Sequence, residues 1–138
     1  MTTVALNDAV RKLLDAPHPA VLSTLNPDGS PQTSVVWVSR DGEDVLVSTE
    51  QGRRKAQNIA RDPRVSVTVF DLSNPFLYAE LRGEATVTED TDRTVVHRIA
   101  AEYLGPDGGK GFVASLPAEP RVVVRITPRR ILGNAASA

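Results

Sequence analysis

Three consecutive cations, Arg53, Arg54 and Lys55, stand where a helix begins, and they offer the plainest chemistry in this chain. The alternating run Val45 to Ser48 ahead of them predicts a strand, Gly52 a bend, and Ala56, Ile59 and Ala60 after them one face of a helix. Positive charge at a helix N-terminus opposes the macrodipole and the unpaired amide N–H groups, so it costs stability when nothing is bound. A bound anion reverses that sign, because helix N-termini are natural phosphate sites. Ser48 and Thr49, at the strand end, add hydroxyl donors on the same side. A solvated basic turn is the competing reading of the same residues.

Other chemistry is scarce. There is no cysteine, which removes disulfides, thiolate nucleophiles and cysteine metal ligands together. The two histidines, His18 and His97, are too few for a zinc site, and His97 lies between apolar helix positions as a half-buried structural residue would. No nucleophile elbow and no paired-carboxylate spacing stands out from the acidic turns. The Gly-rich stretch around Lys110 fails as a phosphate-binding loop, because Gly111 follows the lysine where Ser or Thr is required; it reads as a flexible turn. What remains is a site that binds an anion and has no acid, base or nucleophile of its own, which suits a cofactor that carries the chemistry.

The elements that must position this site are mostly strands. Leu6 to Leu14 has helical spacing, with Asn7 and Asp8 in its first turn and Pro17 and Pro19 beyond it, and reads as a lid rather than a core layer. Ala20 to Leu25 and Gln32 to Ser39 form a hairpin about the turn Asn26-Pro-Asp-Gly29, and Arg40 to Asp44 turns into the Val45 strand. Val65, Val67 and Val69 share one face of the next strand, and Leu77 to Thr88 is a long strand interrupted at Gly83 by a bulge or bend. Glu89, Asp90 and Asp92 open a helix with the stripe Val95, Val96, Ile99, Ala100, Tyr103 and Leu104; Gly105 to Gly111 is a loop, and Arg121 to Ile126 the closing strand. The chain is expected to be a mainly β protein, a small barrel capped by short helices and forming a single domain over residues 1–138.

With 138 residues and a 41% apolar fraction, one soluble core is expected. No apolar run approaches the roughly 20 residues that cross a bilayer, and the first residues lack a secretion pattern, so a cytoplasmic protein with no membrane partner is expected. A net charge of −1 argues against nucleic-acid binding and leaves the basic cluster as a site for a small anion.

The string Val47-Ser-Thr-Glu-Gln-Gly-Arg-Arg-Lys-Ala-Gln-Asn-Ile-Ala-Arg-Asp-Pro-Arg-Val-Ser-Val67 resembles the central signature of the pyridoxamine 5′-phosphate oxidase-like split-barrel flavoproteins. The stretches from Pro19 to Val38 and from Asn74 to Ala85 are similar to the deazaflavin branch of that family, and the resemblance spans roughly residues 5 to 132. It implies a six-stranded split barrel, FMN-binding-like, that forms a homodimer with cofactor sites at the interface. In that branch the cofactor is usually coenzyme F420 and the proteins are reductases acting on a small-molecule substrate.

Carried over residue by residue, the resemblance assigns the cofactor phosphate to Ser48, Thr49, Arg53, Arg54 and Lys55, with Asn58 facing back toward the same pocket. It assigns ring contacts to Gln32, Ser34, Val36 and Trp37, and a cross-subunit position to Tyr78, where the oxidases carry a glutamine. The arginine–histidine pair that grips the vitamin in the true oxidases has no counterpart after His97, so vitamin B6 oxidation is not expected. A proton for the reduced product is offered by Tyr78, Tyr103 or water, and a longer cofactor tail is offered Arg61, Arg64 or Lys110. An FMN enzyme of the same fold, and a non-catalytic flavin or tetrapyrrole carrier, are the alternatives.

Overall fold

A computed structural model describes residues 4–138. Its strands are β1 (Ala20–Leu25), β2 (Pro31–Val36), β3 (Ser39–Asp41), β4 (Asp44–Glu50), β5 (Arg64–Asp71), β6 (Asn74–Glu89) and β7 (Arg121–Leu132), with helices α1 (Asp8–Asp15), α2 (Arg54–Arg61) and α3 (Thr94–Ser115). All strand pairs are antiparallel, and the sheet runs β2-β1-β5-β6-β7-β4-β3.

This order explains why seven strands appear where six were expected. The run Gln32 to Ser39 is not one strand: β2 pairs with β1, while β3 pairs with β4. Those two strands are the opposite edges of the sheet, yet only Trp37 and Val38 separate them. Three Cα steps of about 3.8 Å bound the distance from Val36 to Ser39 at about 11 Å, so the edges must approach and the sheet must curl. The result is a barrel with a seam at Trp37–Val38. At the seam the Val38 N–H donates to the Tyr103 hydroxyl at 3.0 Å, and that hydroxyl donates to the His18 carbonyl at 2.7 Å. The tyrosine thus ties the seam to the chain just before β1.

Inside, the period-2 faces converge. Leu22, Val45, Val47, Val67, Val69, Leu81, Val124 and Ile126 are fully buried in one cluster. Helix α1 belongs to that core. Its Val10, Leu13 and Leu14 are buried in the same cluster, and Asn7 caps it by accepting from the Val10 N–H at 2.8 Å, so the expected lid is a core layer. A short helix with three apolar residues on one face has no stability without such burial. At Gly83 the β6–β7 register shifts, and a Cβ there would lie 2.1 Å from the Thr127 carbonyl oxygen, so only glycine admits the close approach.

The expected loop from Gly105 to Gly111 is helical. Helix α3 bends at Gly105, whose φ of 78° only glycine adopts freely, and Pro106 opens a second arm that runs to Ser115. Gly109 is buried against Ala101 of the first arm, and Val113 packs with Val96 and Ala100 in a satellite cluster that Trp37, Phe112 and Leu116 flank. Packing between the arms overrides the glycine content that reads as a loop. At the other end, Asp90 accepts from the Val95 and Val96 N–H groups, both at 3.0 Å, and caps the helix from outside its first turn. Among the described residues no helix is long and apolar enough to cross a membrane.

Candidate functional site

The seam borders a cavity of about 360 Å³ lined by two chemically distinct sets of residues. One set is apolar: Val35 and Val36 from β2, Trp37 from the seam, Val96 and Ile99 from the first arm of α3, and Phe112 from the second. Trp37 stacks on Tyr103 with ring centroids 4.9 Å apart at 12°, and Phe112 tilts against it at 5.1 Å and 47°. The other set is polar and charged: Ser48, Thr49 and Glu50 finish β4, Arg53 precedes α2 and Lys55 lies in its first turn, and Arg121 starts β7.

Helix α2 begins as the sequence predicts. Arg53 is its N-cap residue, no side chain caps it, and its first turn holds no acidic residue, so no charge within the helix start offsets its dipole. Burial pushes the Lys55 ammonium below its ordinary pKa, and the neighbouring Arg53 and Arg121 push it further, with Glu50 opposing. Burial likewise lowers the pKa of Arg121, with Glu50 and Asp90 opposing and Arg93 and Arg53 adding to the shift. Charges that raise each other's free energy in a cavity favour a bound anion.

Of the residues assigned from sequence, Val36, Trp37, Ser48, Thr49, Arg53 and Lys55 line this cavity together. Arg54, the first residue of α2, does not: it is exposed and lies outside the lining, whereas Arg53 precedes the helix in extended conformation. Asn58 is fully buried and donates to Thr24 Oγ1 and Asn26 Oδ1, both at 3.0 Å, while accepting from Arg61. It ties α2 to β1, and Ala60, expected on the buried face, is exposed instead. Gln32 accepts from Thr24 Oγ1 at 3.0 Å, and the buried Ser34 Oγ has no partner; both lie on the β2 face that carries Val36 but outside the cavity lining. Tyr78 is half exposed on β6, its N–H donating to Asn134 Oδ1 at 3.0 Å, and it too lies outside the lining.

Arg61 is engaged with Asn58 and the Leu25 carbonyl, and Arg64 pairs with Asp62 at 2.8 Å. Lys110 and His97 are exposed, and His18 accepts the Leu72 N–H at Nδ1. The residue that sequence reasoning missed is Arg121. It carries no local signal, and only the β4–β7 pairing, which sets Arg121 opposite Glu50, brings it to the site.

Tyr103 is a structural group. Both roles of its hydroxyl are taken by backbone, and burial raises its pKa. Tyr103→Phe is expected to cost about 1–3 kcal/mol by leaving the buried Val38 N–H unpaired, measured by denaturant unfolding. The pH profile of any cofactor-dependent rate should be unchanged; a lost basic limb would make the tyrosine a proton donor instead.

A curled sheet with a two-residue seam and a cation-and-aromatic cavity on it places the chain among the split-barrel oxidoreductases. A family model described as pyridoxamine 5′-phosphate oxidase matches residues 6–135, and the chain belongs to that family. It is 30% identical over 138 residues to an F420H2-dependent biliverdin reductase of Mycobacterium tuberculosis, covering 97% of this chain and 92% of the relative. It is 28% identical to a pyridoxine/pyridoxamine 5′-phosphate oxidase of Porphyromonas gingivalis, of whose length it spans 53%. Among solved structures, an F420 reductase superposes with a TM-score of 0.78 at 28% identity, covering 92% of this chain and 98% of that one. A conserved hypothetical protein of Mycobacterium tuberculosis superposes with a TM-score of 0.72 at 26% identity, covering 95% and 86%.

Proposed function

We propose that the protein is an F420-dependent reductase that passes a hydride to an unsaturated small-molecule acceptor. The observation that carries this reading is the mixed lining of the cavity: three cations, two hydroxyls and the single carboxylate of Glu50 together with an aromatic and aliphatic set. The residues present fit a phosphate-bearing tricyclic cofactor, because the cationic set includes a buried guanidinium nitrogen, Arg121 Nε, without a partner. Ser48, Thr49, Arg53 and Lys55 would hold the phosphate, and Val36 and Trp37 would lie against the ring. When bound, the reduced deazaflavin supplies the hydride. The protein's own part is to fix the ring and keep water from it, with Trp37 held by Tyr103 and Phe112. The choice of F420 rests on the similarity to the mycobacterial F420H2-dependent reductase, which spans nearly all of both chains.

A second reading, an FMN enzyme, is favoured by one observation. Arg61 and Arg64, the cations nearest in sequence for a longer tail, are already engaged within the chain. Separate titrations with FMN and F420, followed by mixing reduced F420 with enones, quinones and tetrapyrroles, test both. F420 binding with acceptor-dependent oxidation supports the reductase; tight FMN binding with no oxidation of reduced F420 replaces it.

The reading includes a cytoplasmic homodimer with the cofactor sites at its interface. Val35 lines the cavity yet is 73% exposed, so the apolar wall is open on the β2 side, where a second copy would close it. Sedimentation at micromolar protein should give a dimer; a monomer with full cofactor affinity would contradict this.

A further inference from the structure

Arg121 and Glu50 form a pair that is oddly loose for its position. They sit opposite each other in the β4–β7 ladder, and both side chains are largely buried, Arg121 at 10% exposure and Glu50 at 16%. A strand-stapling ion pair in that register should close to hydrogen-bond distance. Arg125, four residues along the same strand, closes to that distance with Asp44 at 3.0 Å and Asp41 at 2.9 Å, although the residue opposite it in β4 is Leu46. Arg121 instead stands 3.9 Å from Glu50, and Arg53 stands 3.6 Å from the same carboxylate. Neither guanidinium spends a donor on it at these distances. Arg121 Nη2 is anchored by the Ser48 hydroxyl at 3.0 Å, while its Nε is buried and without a partner. The same side chain lines the cavity, where it adds a third cation to Arg53 and Lys55 against the single carboxylate of Glu50.

We propose that Arg121 is an anion ligand of the cavity and that Glu50 is its resident counter-ion, holding Arg121 and Arg53 beside the site without consuming the donors a phosphate needs. This rests on the reading that the cavity takes a phosphate-bearing cofactor. In the empty site Glu50 offsets part of the repulsion among the three cations. With an anion bound, the donors of Arg121 turn to its oxygens, and Glu50 becomes a nearby like charge that weakens the complex. Glu50 is therefore a positioning residue that sets how tightly the anion is held, and it acts through Arg121 and Arg53 rather than by touching the ligand.

The test uses the full chain and F420, FMN and inorganic pyrophosphate as probes, with binding read by fluorescence and by shift in melting temperature. Arg121→Gln is expected to weaken the cofactor by about tenfold or more, the loss of one charge-assisted hydrogen bond. Glu50→Gln is expected to tighten it by about threefold or more and to lower the melting temperature of the unliganded protein. In the Arg121→Gln background the effect of Glu50→Gln should shrink below about twofold, since coupled residues are not additive. Arg125→Gln should leave affinity unchanged. If Arg121→Gln does not fold, Arg121→Lys carries the test: it should fold and bind more weakly than the parent.

Equal cofactor affinity in the parent and Arg121→Gln would overturn the inference while leaving the cofactor reading standing. Weaker binding on Glu50→Gln would overturn it by making the pair merely structural. If neither cofactor binds the parent, but pyrophosphate raises its melting temperature and not that of Arg121→Gln, the anion site stands and the cofactor reading falls.

Discussion

Replacing Arg53 and Lys55 together by alanine is expected to lower cofactor affinity by at least about a hundredfold, whereas Arg54→Ala should change it by less than about threefold. Each charge-assisted hydrogen bond to a phosphate contributes about 1.5–3 kcal/mol. Arg53, 62% exposed, belongs at or below the lower end, and the partly buried Lys55 higher. Their sum reaches the roughly 2.7 kcal/mol of a hundredfold change even with partial additivity. Arg54 shares the charge but lies outside the lining, so it contributes only through screened attraction. Fluorescence titration of the three variants decides this, and equal losses for Arg54 and Lys55 would dissolve the distinction between lining and exposed cations.

Removing the Lys55 charge alone is expected to act in the opposite direction on the unliganded protein. The folded-state pKa of Lys55 lies below its ordinary 10.5, so the unfolded chain holds that proton more tightly. The resulting penalty is fully present below the depressed pKa and is relieved as pH rises through it toward 10.5. Lys55→Met should therefore melt at or above the parent temperature at neutral pH, with the difference closing as the parent's lysine deprotonates. A lower melting temperature at neutral pH would show that Lys55 stabilises the empty fold.

Which parts of this site are legible in sequence follows from how local their causes are. The alternation of Val65, Val67 and Val69 and the start of α2 are written in neighbouring residues, and both elements form where the pattern puts them. The cluster at 53–55 is legible as charge, but which of its members line the cavity depends on where extended chain becomes helix, between Arg53 and Arg54, and Arg54 is left exposed. Asn58 is polar at a buried helical position; its bonds to Thr24 and Asn26 come from β1 and the turn after it. Arg121 is invisible until β7 is known to insert between β6 and β4, a pairing set across more than seventy residues. The second arm of α3 was hidden for the opposite reason, since its glycines and Pro106 speak locally for a loop and only contact with the first arm overrules them. The seam itself is the step from Val36 to Ser39, where one apparent strand changes partner.

That seam sets the last expected result. In the reductase reading Trp37→Ala should lower the rate of oxidation of reduced cofactor at saturating acceptor by about a hundredfold, while Trp37→Phe should stay within about tenfold. Trp37 is fixed from three directions: by the stack on Tyr103, by the tilted contact with Phe112, and by the hydrogen bond that anchors the N–H of the next residue, Val38. A rigid aromatic wall of this kind fixes the distance between a ring and its acceptor, and a displacement of about 1 Å is enough for a hundredfold loss in rate. Phenylalanine keeps a flat face against Tyr103; alanine leaves the ring free to settle into the space. Stability should fall much less than the rate, because the stacking itself is worth about 0.5–1.5 kcal/mol beyond area burial. Stopped-flow oxidation of reduced F420, run beside thermal melts of the same variants, separates the two effects. A parent-like rate constant in Trp37→Ala would move the ring contact away from the seam, and a rate loss matched by loss of folded protein would make Trp37 a structural residue.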